Sequence, residues 1–422
     1  MATTYWIGKA ENVKQISTVQ VTAFDVTTTY TITIGGETVS VLGDTDADTT
    51  ASNLQVALEA STIIYFSTID WTVATDTITA TAGTAGIPFT ATSSVNGGTG
   101  TIGAVTTTTA SSGSNDWGTA ANFSGGAVPV STDSVIIRDG SSNIFWGLDQ
   151  NAVDLALLRV HNSYTGKIGL DRGKFTTGSD PEAVDSSKDE YRSHYLKIGS
   201  DRIDLGYNDN ASTPAGSTRI KIDNDITTAS VMVVYSTASV ASETGLPAVR
   251  LLASDADVDL FVRSALGGVG VGVDEGDETP TIGNVTVTDS TGSSRVIIGA
   301  GATLSNFTQL GGNNFLNALT AVTLTAVNVD GGTLTTEGGF AITTVTVDSG
   351  TFNSNNGDGG GVKIATANVN GGTLDGTGSS EARTWTTINL GTGGTLKLDP
   401  AVITVTTLND PTEPYSISVI AV

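Results

Sequence analysis

The chain has 422 residues, of which 43 are acidic and 19 basic, so its formal charge at pH 7 is −24, and it contains no cysteine. The missing cysteines exclude disulfides, thiol nucleophiles and iron–sulfur clusters, and two histidines, His161 and His194, leave little for a zinc site or a histidine-assisted serine mechanism. An acidic surface also repels phosphate groups, so nucleic acids and anionic membranes are not expected partners.

The composition favours β-structure with many turns. Glycine contributes 51 residues, charged residues 15% and hydrophobic residues 38%, which is typical of a folded β-rich chain rather than a disordered one. The first residues contain no apolar segment that would direct secretion, and no apolar run approaches the roughly 18 residues of a membrane span. A soluble product released into the cytoplasm is therefore expected.

Residues 17–110 are predicted to form a compact α+β module that begins with a hairpin. Thr29–Ile34 alternates polar and apolar side chains, the Gly35-Gly36 pair supplies a two-residue turn, and Glu37–Leu42 returns as the second strand.

A helix is predicted next, over residues 46–61. Leu54 and Leu58 share one face, and Asp46 and Asp48 suit a helix N-terminus. Three more strands and a Gly/Thr/Ser-rich linker are predicted to complete the module. The strands are residues 70–74, 77–81 and 88–92, and the linker is residues 97–114.

Two tryptophan-containing segments flank this module. Trp6 precedes it, and Trp117 and Phe123 follow it. The split pattern resembles the tryptophan-rich segment ahead of many bacterial and phage β-helices, where aromatic side chains cover the open end of the first coil. In that interpretation the module is inserted within a cap made of residues 1–16 and 111–135. The alternative is two unrelated surface tryptophans.

From residue 136 onward, short β-branched segments recur between turns, and in the last third of the chain they form a repeat. The aligned glycines are Gly332, Gly350, Gly372 and Gly394, at intervals of 18, 22 and 22 residues. Such intervals with β-strand chemistry indicate one solenoid coil per repeat. Apolar side chains at alternate positions are expected in the core and Thr and Asn outside, with positive φ at the corner glycines. The pattern of a leucine-rich repeat does not occur.

Longer and less regular coils are expected over residues 153–262. Core strands are predicted at residues 157–160, 195–198, 219–222, 231–234 and 249–252. Residues 171–192, which carry both charge signs, are expected to project as a loop.

Several ordered motifs in this part resemble a set of uncharacterised phage and prophage structural proteins, which end in the same Gly-Gly-Thr-Leu solenoid. The motifs are residues 144–150, 157–160, 164–170, 190–199, 219–223 and 243–249. The likeness covers residues 117–400, and the module separately resembles small α+β modules of phage virion proteins. The resemblance implies a place in a virus particle.

Clusters of acidic residues are candidate metal sites, but the first of them lacks the residues that a calcium loop needs. Asp44, Asp46 and Asp48 alternate as in the opening of an EF-hand loop, but Thr49 and Gln55 stand where that loop needs Gly and Glu. Helix capping is the favoured role.

Two other acidic groups are not predicted to bind a cation either. Asp255, Asp257 and Asp259 fail the same test because Leu260 occupies the sixth position, and residues 274–278 are expected to form a solvated loop rather than a cation site.

No catalytic motif emerges. Residues 268–272 alternate Gly and Val like a dinucleotide fingerprint, but no helical pattern follows, so a strand is predicted. Polysaccharide-cleaving β-helices need either a basic side chain near acidic calcium ligands or a suitably spaced pair of carboxylates, and no such pair stands out. Trp146 and Trp385 have the chemistry to stack on a sugar, but cap or core packing is favoured. No catalytic residue, cofactor or metal is predicted, and the chain is not expected to be an enzyme.

These patterns together predict an all-β fold: a single-stranded right-handed β-helix with a tryptophan-rich N-terminal cap and a small inserted α+β domain. The predicted segments are an N-terminal cap strand (1–16), the module (17–110), the second cap segment (111–135), the solenoid (136–400) and a C-terminal strand or tail (401–422).

The expected function is that of a structural protein of a tailed-phage virion, a capsid decoration or cement protein assembled in the host cytoplasm. Expected partners are other copies of the chain, as a homotrimer, and the major capsid protein or other virion proteins. Alternatives are a tail fibre or tailspike that binds host glycans, a polysaccharide-cleaving enzyme, and a bacterial adhesin, which the missing export signal disfavours.

Overall fold

The structure is a computed structural model that describes residues 2–170, 194–208, 213–242, 245–253, 258–273, 281–289, 292–299, 302–319, 321–354, 361–378 and 381–410. Two long parallel sheets, of 13 and 11 strands, share one continuous hydrophobic core. The prediction of an all-β solenoid is confirmed.

The 13-stranded sheet runs the length of the solenoid, and all its neighbouring strands are parallel. In spatial order its strands are β1 (Thr3–Trp6), β10 (Ser134–Ile137), β12 (Leu157–His161), β14 (Arg202–Tyr207), β16 (Ser230–Val234), β18 (Val258–Val262), β20 (Thr281–Val287), β22 (Thr303–Gln309), β24 (Val322–Val329), β26 (Phe340–Val347), β28 (Lys363–Val369), β30 (Arg383–Leu390) and β32 (Ile403–Asn409).

The 11-stranded sheet alternates with it along the chain, so each coil adds one strand to each sheet. Its strands are β11 (Asp149–Leu155), β13 (Leu196–Ser200), β15 (Ile220–Asn224), β17 (Val249–Ala253), β19 (Val269–Val271), β21 (Arg295–Ile298), β23 (Asn313–Ala318), β25 (Thr333–Glu337), β27 (Thr351–Ser354), β29 (Thr373–Asp375) and β31 (Thr395–Lys397).

The repeat predicted from the glycines is confirmed by strand register. Leu334, Phe352, Leu374 and Leu396 pair in succession across β25, β27, β29 and β31, and all four are buried. Because stacked coils place equivalent residues one above another, this register keeps a single apolar column in the core.

The prediction for the corner glycines is confirmed at two positions and wrong at two. Gly332 and Gly350 have φ of +68° and +77°, whereas Gly372 and Gly394 lie outside the positive-φ region. At Gly372 the requirement is space, since a Cβ there would lie 2.6 Å from the carbonyl oxygen of Gly350.

Long strands of the 13-stranded sheet bend around the core. In β24, β26, β28 and β30 the alternation of buried and outward side chains changes phase by one residue near the middle. In β24, for example, Val322 and Leu324 are buried before the change and Val327 and Val329 after it. One strand therefore covers two adjoining sides of the core.

The five core strands predicted in the irregular coils are confirmed as β12, β13, β15, β16 and β17. The stretch predicted as a charged loop, residues 171–192, lies outside the described residues.

The module packs around its own core, which includes Tyr30, Leu54, Phe66 and Trp71. Its elements are β2 (Ile16–Ala23), β3 (Thr29–Ile34), β4 (Glu37–Leu42), α1 (Ala47–Glu59), α2 (Ile64–Ser67), β5 (Ile69–Ala74), β6 (Thr77–Ala82), β7 (Ala91–Asn96), β8 (Thr101–Ile102) and β9 (Thr106–Thr109). The predicted hairpin is confirmed as β3–β4, with both turn glycines at positive φ. The predicted helix is α1.

Two local predictions in the module were wrong. The strand expected at residues 88–92 begins only at Ala91, because Gln15 binds the Phe89 backbone from both sides: its Oε1 accepts the N–H at 3.1 Å and its Nε2 donates to the carbonyl at 2.7 Å. The expected linker contains β8 and β9, which both pair with β2. Threonine-rich sequence favours strands, so its flexibility was overestimated.

Candidate functional site

The N-terminal end of the solenoid is closed by an aromatic cap. The Trp6 and Trp117 rings stack with centroids 6.1 Å apart, and Phe123 meets both edge-on at 5.4 and 5.2 Å. β1 pairs in parallel with β10, which leaves the module between two neighbouring strands of one sheet. The prediction of a split cap with an inserted module is confirmed, and the alternative of two surface tryptophans is wrong.

One buried asparagine fixes the two cap segments to each other, and a nearby aspartate holds the local turn. Asn122 is fully buried; its Oδ1 accepts the Ala10 N–H at 2.8 Å, and its Nδ2 donates to the carbonyls of Gly113 and Asp116. The Asp116 carboxylate accepts the Gly118 N–H at 2.8 Å. Burial raises the pKa of Asp116 despite this bond.

Outside the cap, the outer face of the first coils concentrates arginines. We call the surface formed by Arg138, Arg159, Arg202 and Arg263 the arginine face; it extends from β10 to β18 of the 13-stranded sheet. Fully buried Asp204 links its centre: one carboxylate oxygen accepts Nε and Nη2 of Arg159 at 2.9 and 2.7 Å, and the other accepts Nε of Arg202 at 2.9 Å.

Tyrosine rings support these arginines. The guanidinium carbon of Arg159 lies 3.9 Å from the Tyr207 ring centroid, and that of Arg263 lies 4.5 Å from the Tyr235 centroid. Arg202 donates to the Tyr235 hydroxyl at 3.2 Å. A cation held over a ring loses fewer conformations when it binds a ligand.

A second polar surface follows, which we call the Asn/Thr face. It starts where Asp259 accepts the Asn284 side-chain N–H at 2.6 Å, and Asn306 donates to Asn284 at 2.9 Å. Asn409 and Asn389 continue the same type of bond near the last coils. Outward side chains here are mainly Thr and Asn, as predicted from the repeat, and they form ladders that support the stacked strands.

A third feature is a cleft of about 210 Å³ between the module and the first coil. Tyr65, Pro88 and Phe89 line it from the module and Trp146 from the solenoid. Trp146 is half-buried there, whereas Trp385 is fully buried in the core. The core role predicted for Trp385 is confirmed. Trp146 contributes to the contact between module and solenoid.

The acidic candidates behave as local structure. Asp46 caps α1 by accepting the Thr49 N–H at 2.6 Å, and Asp48 lies in the first turn, so the capping prediction is confirmed. Hydrogen bonds from Thr49 lower the pKa of Asp46. Asp44 accepts an N–H from Asn53. Residues 254–257 and 274–280, which contain the other two candidate clusters, lie outside the described residues, Asp259 excepted.

The glycine–valine segment is a strand, as predicted, since β19 pairs in parallel on both sides. Within the described ranges, no group of three or more His, Asp and Glu side chains is placed to hold a metal ion. In the same residues no helix has the length and apolar character needed to cross a membrane.

Buried titratable groups serve packing. Arg383 is 4% exposed, donates to the Ser354 carbonyl at 3.2 Å, and has its pKa lowered to about 10 by burial. Burial also raises the pKa of Tyr164, whose hydroxyl donates to the Ser142 carbonyl at 2.7 Å. Each of these side chains binds a backbone carbonyl of another segment of the chain.

No family model, curated protein or solved structure matches this chain. The arginine face was not found from the sequence, because its four members are 21 to 61 residues apart along the chain and only strand register brings them together. The available signal was the crowding of basic residues after Arg138 in a chain of such negative charge.

Proposed function

We propose that this chain is a structural protein of a tailed-phage particle, a decoration protein that docks on the capsid shell as a homo-oligomer. The observation that carries the proposal is a continuous rod of stacked coils with the module attached at its N-terminal end. The 13-stranded sheet is continuous from β1 to β32, and at about 4.8 Å per strand it extends roughly 58 Å.

The N-terminal end of this rod carries the module, which differs from the rod in surface charge. Residues 17–110 contain eight acidic residues and no Lys or Arg. A rod of stacked coils holds an attached module at a fixed distance from whatever its other end contacts. The resemblance of the solenoid and of the module to phage structural proteins supports the same assignment.

Cryo-electron microscopy of purified particles tests the proposal. A tag on the module, at the β3–β4 turn, should appear as density at repeated positions on the shell, and its absence in untagged particles is the control. Density on the tail alone would refute the decoration role. Light scattering of the purified chain measures the oligomer number, for which a trimer is expected.

A further inference from the structure

The Asn/Thr face is a regular array made of two parallel columns of outward side chains. The columns cross seven consecutive strands of the 13-stranded sheet, from β20 to β32. Strand register assigns Asn284, Asn306, Ala326, Thr344, Thr366, Thr387 and Thr407 to one column, and Thr286, Thr308, Asn328, Thr346, Asn368, Asn389 and Asn409 to the other. Thirteen of these fourteen side chains are Thr or Asn, none is charged and none is buried.

The array repeats in two directions. Members of a column lie on neighbouring strands, about 4.8 Å apart, and the two columns are two residues apart along each strand, or about 6.6 Å. Asn306 donates to Asn284 at 2.9 Å, and Asn409 donates to Asn389 at 2.8 Å, so these amide groups are held in place. Among the described residues, the threonine hydroxyls of the face make no hydrogen bond to protein. They remain available to whatever contacts the face.

Strand formation alone does not account for this composition. Val, Ile and Tyr favour strands as Thr does, and Asn is depleted from strands. Another outward column of the same sheet contains Ala341 and Lys363, which pair with each other on β26 and β28. Outward positions in these coils therefore tolerate a charge. Because the whole chain carries −24, seven coils without a charge on this face indicate a requirement that folding of the strands does not impose.

The size and chemistry of the face do not fit two common occupants. At about 29 Å by 10 Å the face covers roughly 300 Å², whereas a specific protein interface buries about 800 Å² on each partner. A sugar chain is held mainly on aromatic rings, and neither column contains one. The occupant that matches the face is an uncharged surface that itself repeats in two directions.

We propose that the Asn/Thr face binds ice. Water held between equivalent hydroxyl, methyl and amide groups takes the repeat of the array, which is close to the spacing of oxygen atoms on the prism faces of ice. Protein and crystal then share this first water layer, and each coil adds contacts of the same kind. A charged side chain would orient water around itself and break the layer, which accounts for the neutral columns. Ice binding does not depend on where the chain sits in a particle, so its failure would leave the decoration role untouched.

Growth of a single ice crystal in a solution of the purified full-length chain tests the proposal. The freezing point should fall below the melting point, because bound protein stops growth of the crystal between the bound molecules, and the crystal should become faceted. Fluorescently labelled chain should also enter ice that grows slowly from the solution, whereas labelled dextran should be excluded.

Thr344→Lys places a charge at the centre of the face, on β26, and should reduce the gap between freezing and melting points at least fivefold at equal concentration. Thr384→Lys is the matched control, because it makes the same change at an exposed outward position of β30 that lies outside both columns. It should change the gap less than twofold. Both side chains point outward, so both variants should fold, which circular dichroism checks. The proposal is overturned if the wild-type chain is excluded from growing ice, or if Thr384→Lys reduces the gap as much as Thr344→Lys.

Discussion

Removing the Trp117 side chain should open the N-terminal end of the solenoid without unfolding the rest. Trp117 is fully buried and packs on both Trp6 and Phe123. Burying a ring of 150–250 Å² is worth about 4–6 kcal/mol at 25 cal/mol per Å², and Trp→Ala changes in cores cost about 3–5 kcal/mol. We therefore expect Trp117→Ala to lower the local free energy of opening by about 4 kcal/mol.

Hydrogen exchange followed by mass spectrometry gives the assay. Since 1.4 kcal/mol is a factor of ten, exchange in β1 and β10 should speed up by about 10³-fold. Coils contact only their neighbours, so β26 and β28 should keep their wild-type protection.

Two controls sharpen this test. The Trp117 indole N–H has no acceptor among the described residues, so Trp117→Phe loses no hydrogen bond and should cost much less than Trp117→Ala. Trp385→Ala should instead increase exchange near β28 and β30. Unchanged protection in β1 and β10, or equal loss in β28, after Trp117→Ala would refute the idea that the aromatic cap closes this end.

Three further changes probe a corner, the cap and a ladder. Gly350→Ala should lower the melting temperature more than Gly126→Ala does. Both glycines have positive φ, which costs about 1–2 kcal/mol for a residue with a side chain, but only at Gly350 would the added Cβ collide with backbone atoms. Equal losses of stability in the two variants would contradict this reasoning. The melting temperature of Asp116→Asn relative to the wild type should rise as pH increases above about 4, and level off once pH passes the raised folded-state pKa, because burial makes ionisation of Asp116 above its unfolded value of about 3.9 destabilising. A pH-independent difference would count against this reasoning. Asn284→Asp should lower the free energy of unfolding by about 0.5–1 kcal/mol at pH 7, because it places a second carboxylate against Asp259. At acidic pH, where the carboxylates are protonated, the stability should recover. An identical cost in acid would show that charge repulsion is not the cause.

Periodicity predicted the parts of the fold that repeat or alternate. The β3–β4 hairpin follows from strict alternation around two glycines, and the stacked column from Leu334 to Leu396 follows from repeat spacing. In both cases a local pattern determines which side of a strand meets the core.

What depends on long-range pairing could not be predicted. The bond between Gln15 and the Phe89 backbone joins residues 74 apart, and it displaced an expected strand. The corner at Gly372 avoids positive φ although its sequence resembles that of Gly350. The arginine face likewise depends on register across β10, β12, β14, β16 and β18, which no local pattern encodes.

The insertion of the module has a consequence for synthesis. β1 ends at Trp6, and its partner β10 begins at Ser134, so about 130 residues leave the ribosome before the first strand can pair. At a translation rate of about 5–20 residues per second, that delay lasts roughly 6–25 s. The module can fold in that interval, because its own core lies wholly between the two strands. Its completion brings residues 16 and 109 together on paired strands, which shortens the loop that the first coil must close and lowers the entropy lost on closing it.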